Sequence, residues 1–320
     1  SPRGSYSPLP HLAACRPLLR VNPKRERVTT SGSYLRQPEK LLQSELIQGK
    51  AKKAGKPEER KMKKPKWVVK KEQDKKASAA ETVWLFGLHA VRDALMNPER
   101  EKLNLVVTRN ASDKLAEAIA FSGMEPEMCE PRKFSAPLDP QSVHQGAALE
   151  VKPLKWGRLE DVCVGGSAAV PRAILLDRVT DPHNVGAILR SAEVFGASAV
   201  IGTHRGSAPE TGALAKTASG ALERQPYLRI RNLAESIEAL QKMGYLVLGL
   251  DGEAEQSIES ALEGKRDRPI ALVLGAEGPG LREKTKETVD ALVKIEFADA
   301  FGSLNVSNAA AVALYASLPR

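Results

Sequence analysis

From Thr82 onward the apolar positions recur with the spacings of regular secondary structure. Thr82–Phe86 reads as a short strand. Leu88, Val91 and Leu95 keep helical spacing until Asn97-Pro98 ends the run. Leu103–Thr108 reads as a strand, and Ser112 as the cap of a helix that Gly123 stops in a left-handed turn. Glu125–Cys129 and Ala147–Val151 read as further strands, with His144-Gln145-Gly146 as the turn before the last. The pattern predicts a small α/β domain over 81–152. The Gly-rich segment 153–171 reads as a linker.

Over 172–320 strands and helices alternate. Ala173–Leu176, Ala199–Ile201, Tyr245–Leu250, Ile270–Leu274 and Leu292–Phe297 have the short apolar runs of buried strands. Helical spacing covers Asn184–Phe195, Leu233–Met243, Arg282–Val289 and Val306–Leu318. This order predicts a mostly parallel sheet with helices on both faces. Ligands of such sheets bind at the carboxyl ends of the strands.

Residues 1–80 lack that periodicity, and their charge explains why. They hold 21 Lys+Arg against 7 Asp+Glu, whereas the other 240 residues hold 27 against 32. Runs such as Lys50–Pro57 and Lys61–Lys66 bury too little apolar surface to offset chain entropy, so 1–80 reads as a disordered basic tail attracted to polyanions. Its first ~38 residues, rich in Ser and Arg and poor in acids, also fit an organelle transit peptide. The longest apolar stretch, Ala309–Leu318, falls short of the roughly 20 residues that span a bilayer, which argues against a membrane helix. Three scattered cysteines and five histidines form no metal-ligand spacing and no CxxC pair, so no metal site is expected.

Three polar, glycine-bearing loops each follow a predicted strand: Leu176–Gly186, Leu274–Leu281 and Phe301–Asn308. There is no G-K-[ST] and no G-x-G-x-x-G after the first strand, which excludes two common nucleotide fingerprints. Gly275, Gly278 and Gly280 permit close backbone approach to a planar ligand, or simply turns around a strand end. Arg190 points away from the apolar stripe of its helix. It is expected to lean back over Gly186 toward Asp181–Asn184, where it suits a phosphate; pairing with Glu193 is the alternative. Ser303 and Asn305 are good helix caps for the last helix. Glu277, between glycines after an apolar strand, is an odd place for a structural carboxylate. His183 is a possible base without an evident orienting partner.

In order and spacing these segments resemble the three motifs of the SpoU (TrmH-like) RNA 2′-O-ribose methyltransferases. The resemblance rests on D-x-x-x-D-P-x-N-x-G-A-x-x-R-x-A-x-x-F-G from Asp177, L-V-L-G-A-E-G-P-G-L from Leu272 and S-L-N-V-S-x-A-A-A from Ser303. Ala218–Glu223 also fits. The likeness covers about 145 residues from Ala173; Ile295-Glu296-Phe297 departs from the Pro-Met usual after that isoleucine. More loosely, Phe86–Val91 and His144–Gly146 resemble the small substrate-binding domain of members that act on large-subunit ribosomal RNA.

The resemblance implies a C-terminal SPOUT trefoil knot, a rare exception to unknotted topology, and a homodimer with the site near the subunit interface. It implies S-adenosylmethionine held by Leu274, Gly275, Gly278, Ile295, Ser303 and Leu304. The active constellation it implies is Asn184, Arg190, Glu277, Ser303 and Asn305. Arginine is practically never deprotonated, so Arg190 is expected to hold the adjacent phosphate and stabilise charge on the 2′-oxygen rather than act as base. The substrate implied is a guanosine of large-subunit rRNA. A tRNA substrate, or a non-catalytic knotted assembly factor, stands as the alternative. The expected compartment is the cytoplasm, with the mitochondrial matrix second.

Overall fold

The computed structural model describes residues 82–164, 170–298 and 303–319; the expectation for the tail 1–80 lies outside them. The described chain builds two sheets. In the first, strands β1 (Val83–Phe86), β2 (Lys102–Val107), β3 (Glu127–Met128) and β4 (Ala147–Val151) lie in the order β1-β4-β2-β3. Helices α1 (Leu88–Met96), α2 (Arg109–Lys114) and α3 (Ala116–Ser122) accompany them. The helix expected from Ser112 to Gly123 is two helices. Thr108, not Ser112, caps the first through Ala111 N, and the chain breaks at Leu115. Gly123 does end the second in the left-handed conformation.

The second sheet carries β5 (Arg172–Asp177), β6 (Ala199–Thr203), β7 (Tyr227–Ile230), β8 (Leu246–Leu250), β9 (Ile270–Gly275) and β10 (Ala291–Val293). Its order is β10-β8-β9-β5-β6-β7, and every pairing is parallel. Around it, in chain order, are α4 (Leu159–Val162), α5 (Pro182–Val194), α6 (Gly212–Ala218), α7 (Leu233–Lys242), α8 (Ile258–Leu262), α9 (Glu283–Thr288) and α10 (Val306–Ala316). Strand pleating sends alternate residues to opposite faces. Ile174 and Leu176 of β5 join one buried layer with Ile188 of α5 and Leu314 of α10. Ala173 and Leu175 join the other with Ile237 and Leu240 of α7. Both faces are therefore covered, which is why these strands read as continuous apolar runs.

The two sheets share an apolar core: Leu85, Val91 and Leu149 belong to the same buried cluster as Leu176, Val185 and Leu214. A buried ionic node reinforces the junction. Arg100, whose side chain is fully buried, donates from Nε and Nη2 to Glu223 at 3.0 and 2.8 Å and from Nη1 to Glu210 at 3.2 Å. Burial raises the Glu210 carboxyl above its ordinary value, against the pull of Arg100. The segment expected as a plain linker is anchored as well. Leu159 and Cys163 are buried in the second layer, and Tyr245 Oη donates to Cys163 O at 2.5 Å.

Four of these elements escaped the apolar pattern: α4, α6, β7 and α8. The strand expected over Leu292–Phe297 is only Ala291–Val293. Lys294 still bridges to Ser257, after which the chain leaves the sheet.

Candidate active site

The carboxyl ends of β5 and β9 and the amino end of α10 meet on one rim. Asp181 caps α5, accepting from His183 N at 3.0 Å, and Pro182 occupies the first turn, where its missing N–H costs nothing. The helix therefore begins two residues earlier than its apolar stripe suggests, and Asn184 sits in its first turn. Asn305 caps α10, accepting from Ser307 N at 2.8 Å and from Ser307 Oγ at 2.6 Å. Ser303, expected to share that role, lies ahead of the cap.

Asn184, in the first turn of α5, and Asn305, the cap of α10, aim their amides at one carboxylate. Glu277 Oε1 accepts from Asn184 Nδ2 at 3.0 Å and from Asn305 Nδ2 at 2.6 Å. Asn305 Nδ2 also reaches Asn184 Oδ1 at 3.0 Å. Three of the five expected active residues thus form a closed hydrogen-bonded triangle, one from each motif.

Beside the triangle lies a cavity of about 240 Å³, lined by Leu274, Gly275, Gly278, Ile295, Ser303 and Leu304 together with Glu277. Every residue expected to hold the cofactor lines it. Gly275 is required by close backbone approach. A Cβ there would lie 2.3 Å from the Gly280 carbonyl carbon and 2.5 Å from Leu281 N. Asp177, the first acid of the first motif, is structural: fully buried, it accepts from Arg282 N, Arg282 Nε and Thr285 Oγ1 at 2.9, 2.7 and 2.8 Å. It ties the chain after β9 to the end of β5.

Other lining residues were not among those expected, the acidic Asp251 among them. Asp251 follows β8 and faces the same cavity, paired at 2.5 Å with Lys286 Nζ. Burial pushes this carboxyl up, but the hydrogen bond from Lys286 outweighs it and holds the group below the usual carboxylate range. Leu250-Asp251-Gly252 carried the same signal as the other loops, a polar pair with glycine at a strand end.

Arg190 stands apart from the triangle. It is exposed on α5, does not line the cavity and bonds to no described residue. The path expected over Gly186 is closed, because α6 packs there. A Cβ at Gly186 would lie 2.5 Å from Leu214 O and 2.9 Å from Thr217 Cβ. Its alternative partner is taken too: Glu193 pairs with Arg224, which also holds Asp93 at 2.8 Å. His183, expected to lack a partner, has one in Thr217 Oγ1 at 3.0 Å. The same hydroxyl also lies 3.1 Å from Ala213 O, the carbonyl one turn back on α6. Among the described residues no group of three or more His, Cys, Asp or Glu could hold a metal ion, and no helix is long and apolar enough to cross a membrane.

The model of the SpoU rRNA Methylase family matches residues 171–315. A 23S rRNA (guanosine-2′-O-)-methyltransferase RlmB of Vibrio vulnificus is 37% identical over 244 residues, covering 72% of this chain and 94% of that protein. The protein of the same name from Ralstonia nicotianae is 39% identical over 239 residues, covering 72% and 93%. Among solved structures, the SpoU methyltransferase AviRb from Streptomyces viridochromogenes in complex with AdoMet superposes with a TM-score of 0.62 at 22% identity, covering 76% of this chain and 91% of that one. An AdoMet-bound rRNA methyltransferase from Sinorhizobium meliloti gives 0.62 at 21%, covering 78% and 89%. At these identities the structural likeness concerns the fold.

Proposed function

Because the chain belongs to the SpoU rRNA Methylase family, we propose that it transfers a methyl group from S-adenosylmethionine to the 2′-hydroxyl of a guanosine in large-subunit ribosomal RNA. The observation that carries this reading is the Asn184–Glu277–Asn305 triangle at the margin of the glycine-lined cavity.

The cavity suits the donor chemically. Leu274, Ile295 and the exposed Leu304 and Phe297 offer apolar surface to a flat ring. The strand ends offer backbone groups, and Asp251 offers a carboxylate. When bound, S-adenosylmethionine supplies an activated electrophilic methyl on sulfonium sulfur. The residues of this chain then position the acceptor, which accounts for most of the acceleration. Asn184, Glu277 and Asn305 fix the rim on which the ribose rests. Arg190, which stands apart from the triangle of its own chain, serves the site across the boundary with a second copy, where it holds the adjacent phosphate and stabilises charge developing on the 2′-oxygen. The hydroxyl proton leaves to water or a phosphate oxygen.

The reading extends to assembly. Exposed Val194 of α5 and Val312 and Tyr315 of α10 make an apolar face, with the Phe195 and Tyr315 rings 6.2 Å apart. A second copy of the chain covers that face and brings the unpaired Arg190 to the subunit boundary. The chain leaves edge strand β10 and returns to pack α10 against α5 and β9, a return that supports the trefoil knot the family implies. Residues 81–152 select the RNA and 172–320 carry the chemistry. The compartment is the cytoplasm, as fits relatives from bacteria.

The test is transfer of radiolabelled methyl from S-adenosylmethionine to an unmodified large-subunit rRNA transcript. Label resistant to alkaline cleavage at one ribose supports the reading. Label on a base, or on a 2′-deoxy copy, overturns it.

A further inference from the structure

A second cleft opens on the same rim, over the carboxyl ends of β5, β6 and β7. It measures about 730 Å³, and its lining includes Arg178, Arg205, Arg231, Arg282 and His204. No carboxylate lines it. The nearest acid is Asp177, already saturated by Arg282 and Thr285. Glu235, on the first turn of α7, is held by Asn232 Nδ2 at 2.7 Å. Arg205 and Arg231 are exposed and bond to no described residue. Arg178 Nε is shut off from solvent without a hydrogen-bond acceptor, 3.9 Å from Asp177 Oδ1.

Arg178 and Arg282 share the single carboxylate of Asp177, and Arg205 and Arg231 have no carboxylate partner among the described residues, so the four guanidinium groups repel one another unless a ligand neutralises them. Guanidinium matches phosphate oxygens bidentately, and the exposed Arg205 and Arg231 present such donors to the cleft. Strands stand about 4.8 Å apart in a sheet. The cleft over β5–β7 therefore lies roughly 10–15 Å along the rim from the cavity over β8–β10. Arg282, just after the β9 loop, borders the cleft on that side.

We propose that this arginine cleft binds the phosphodiester backbone of RNA flanking the methylated nucleotide. The proposal rests on the RNA methyltransferase reading. Its role is to fix register along the strand, since phosphate contacts position rather than specify.

The test compares the full chain with the double variant Arg205→Gln/Arg231→Gln, neither residue touching the triangle or the cofactor cavity. RNA binding is followed by fluorescence anisotropy of a labelled large-subunit rRNA fragment across a salt series. S-adenosylmethionine binding is followed by calorimetry. The double variant is expected to bind RNA at least 10-fold more weakly, and its log-affinity against log-salt slope to be smaller by about 1.4–1.8. Cofactor affinity is expected to stay unchanged. Because the basic tail is present in both chains, its contribution cancels. Unchanged RNA affinity and slope would overturn the assignment. A titration with ATP separates the other source of the same chemistry. Saturable ATP binding abolished by the double substitution, with RNA affinity unmoved, would give the cleft to a free nucleotide and overturn it too. Wild-type chain that transfers no methyl, yet whose RNA affinity falls in the double variant, would sink the proposed function and leave the cleft assignment standing.

Discussion

Glu277 accepts a 3.0 Å hydrogen bond from Asn184, 93 residues earlier in the chain. The contact joins the loop after β9 to the first turn of α5, and Asn305 closes the triangle from the cap of α10. Glu277→Ala removes the shared acceptor. Because Glu277 is exposed, folding stability should change by less than about 1 kcal/mol. Methyl transfer should fall about 10²–10³-fold. Steady-state methylation alongside thermal unfolding checks both halves. A destabilised chain with normal transfer would contradict the assignment.

Arg190 bonds to no described residue of its own chain, so Arg190→Ala should cost at most about 0.5 kcal/mol of stability. It should leave S-adenosylmethionine binding intact in calorimetry while abolishing most methyl transfer. Near-normal transfer would remove Arg190 from the chemistry. The apolar face beside it predicts a second result: Tyr315→Glu should shift the chain from dimer to monomer in sedimentation.

What the sequence makes legible follows from where its signals lie. The β5 and β9 strands were legible because both faces are buried, which writes unbroken apolar runs. From the residues themselves the triangle was legible only as separate polar loops, since nothing local to Asn184 or Asn305 reports the other; the family resemblance is what grouped Asn184, Glu277 and Asn305. The helix α6 was hidden because its spacing is written in small residues. Gly212, Ala215 and Ala218 are buried in it, and it presses on Gly186. That contact closed the path assigned to Arg190. Asp251 was missed for a different reason: its role depends on a cavity assembled from three strand ends.

Gly275→Ala should abolish cofactor binding. Its Cβ would collide with backbone at Gly280 and Leu281, atoms that cannot swing aside as a side chain can. Calorimetry with S-adenosylmethionine is the check; affinity within a few fold of wild type would show that the loop adapts.

Arg100 ties Glu223 and Glu210 across the junction of the two sheets. Arg100→Leu leaves two buried carboxylates without their cation and should cost about 3–5 kcal/mol. Denaturant unfolding measures it. A loss below about 1 kcal/mol would mean that water enters the junction.

Burial pushes the Cys163 thiol up to about 11, with Glu160 adding to the effect. Only the thiolate is alkylated. In the folded chain at pH 8, iodoacetamide should spare Cys163 and react faster with the half-buried Cys129. Cys163 should become reactive near pH 11 or on unfolding. Site-resolved mass spectrometry reads the order, and equal labelling at pH 8 would contradict the buried setting.

The central claim is tested most directly by mapping ribose methylation. The chain and S-adenosylmethionine are incubated with unmodified large-subunit rRNA and, separately, with unmodified tRNA. The account predicts one new 2′-O-methylguanosine in the large-subunit RNA and none in tRNA. Methylation confined to tRNA, or absent from both despite cofactor binding, would contradict it.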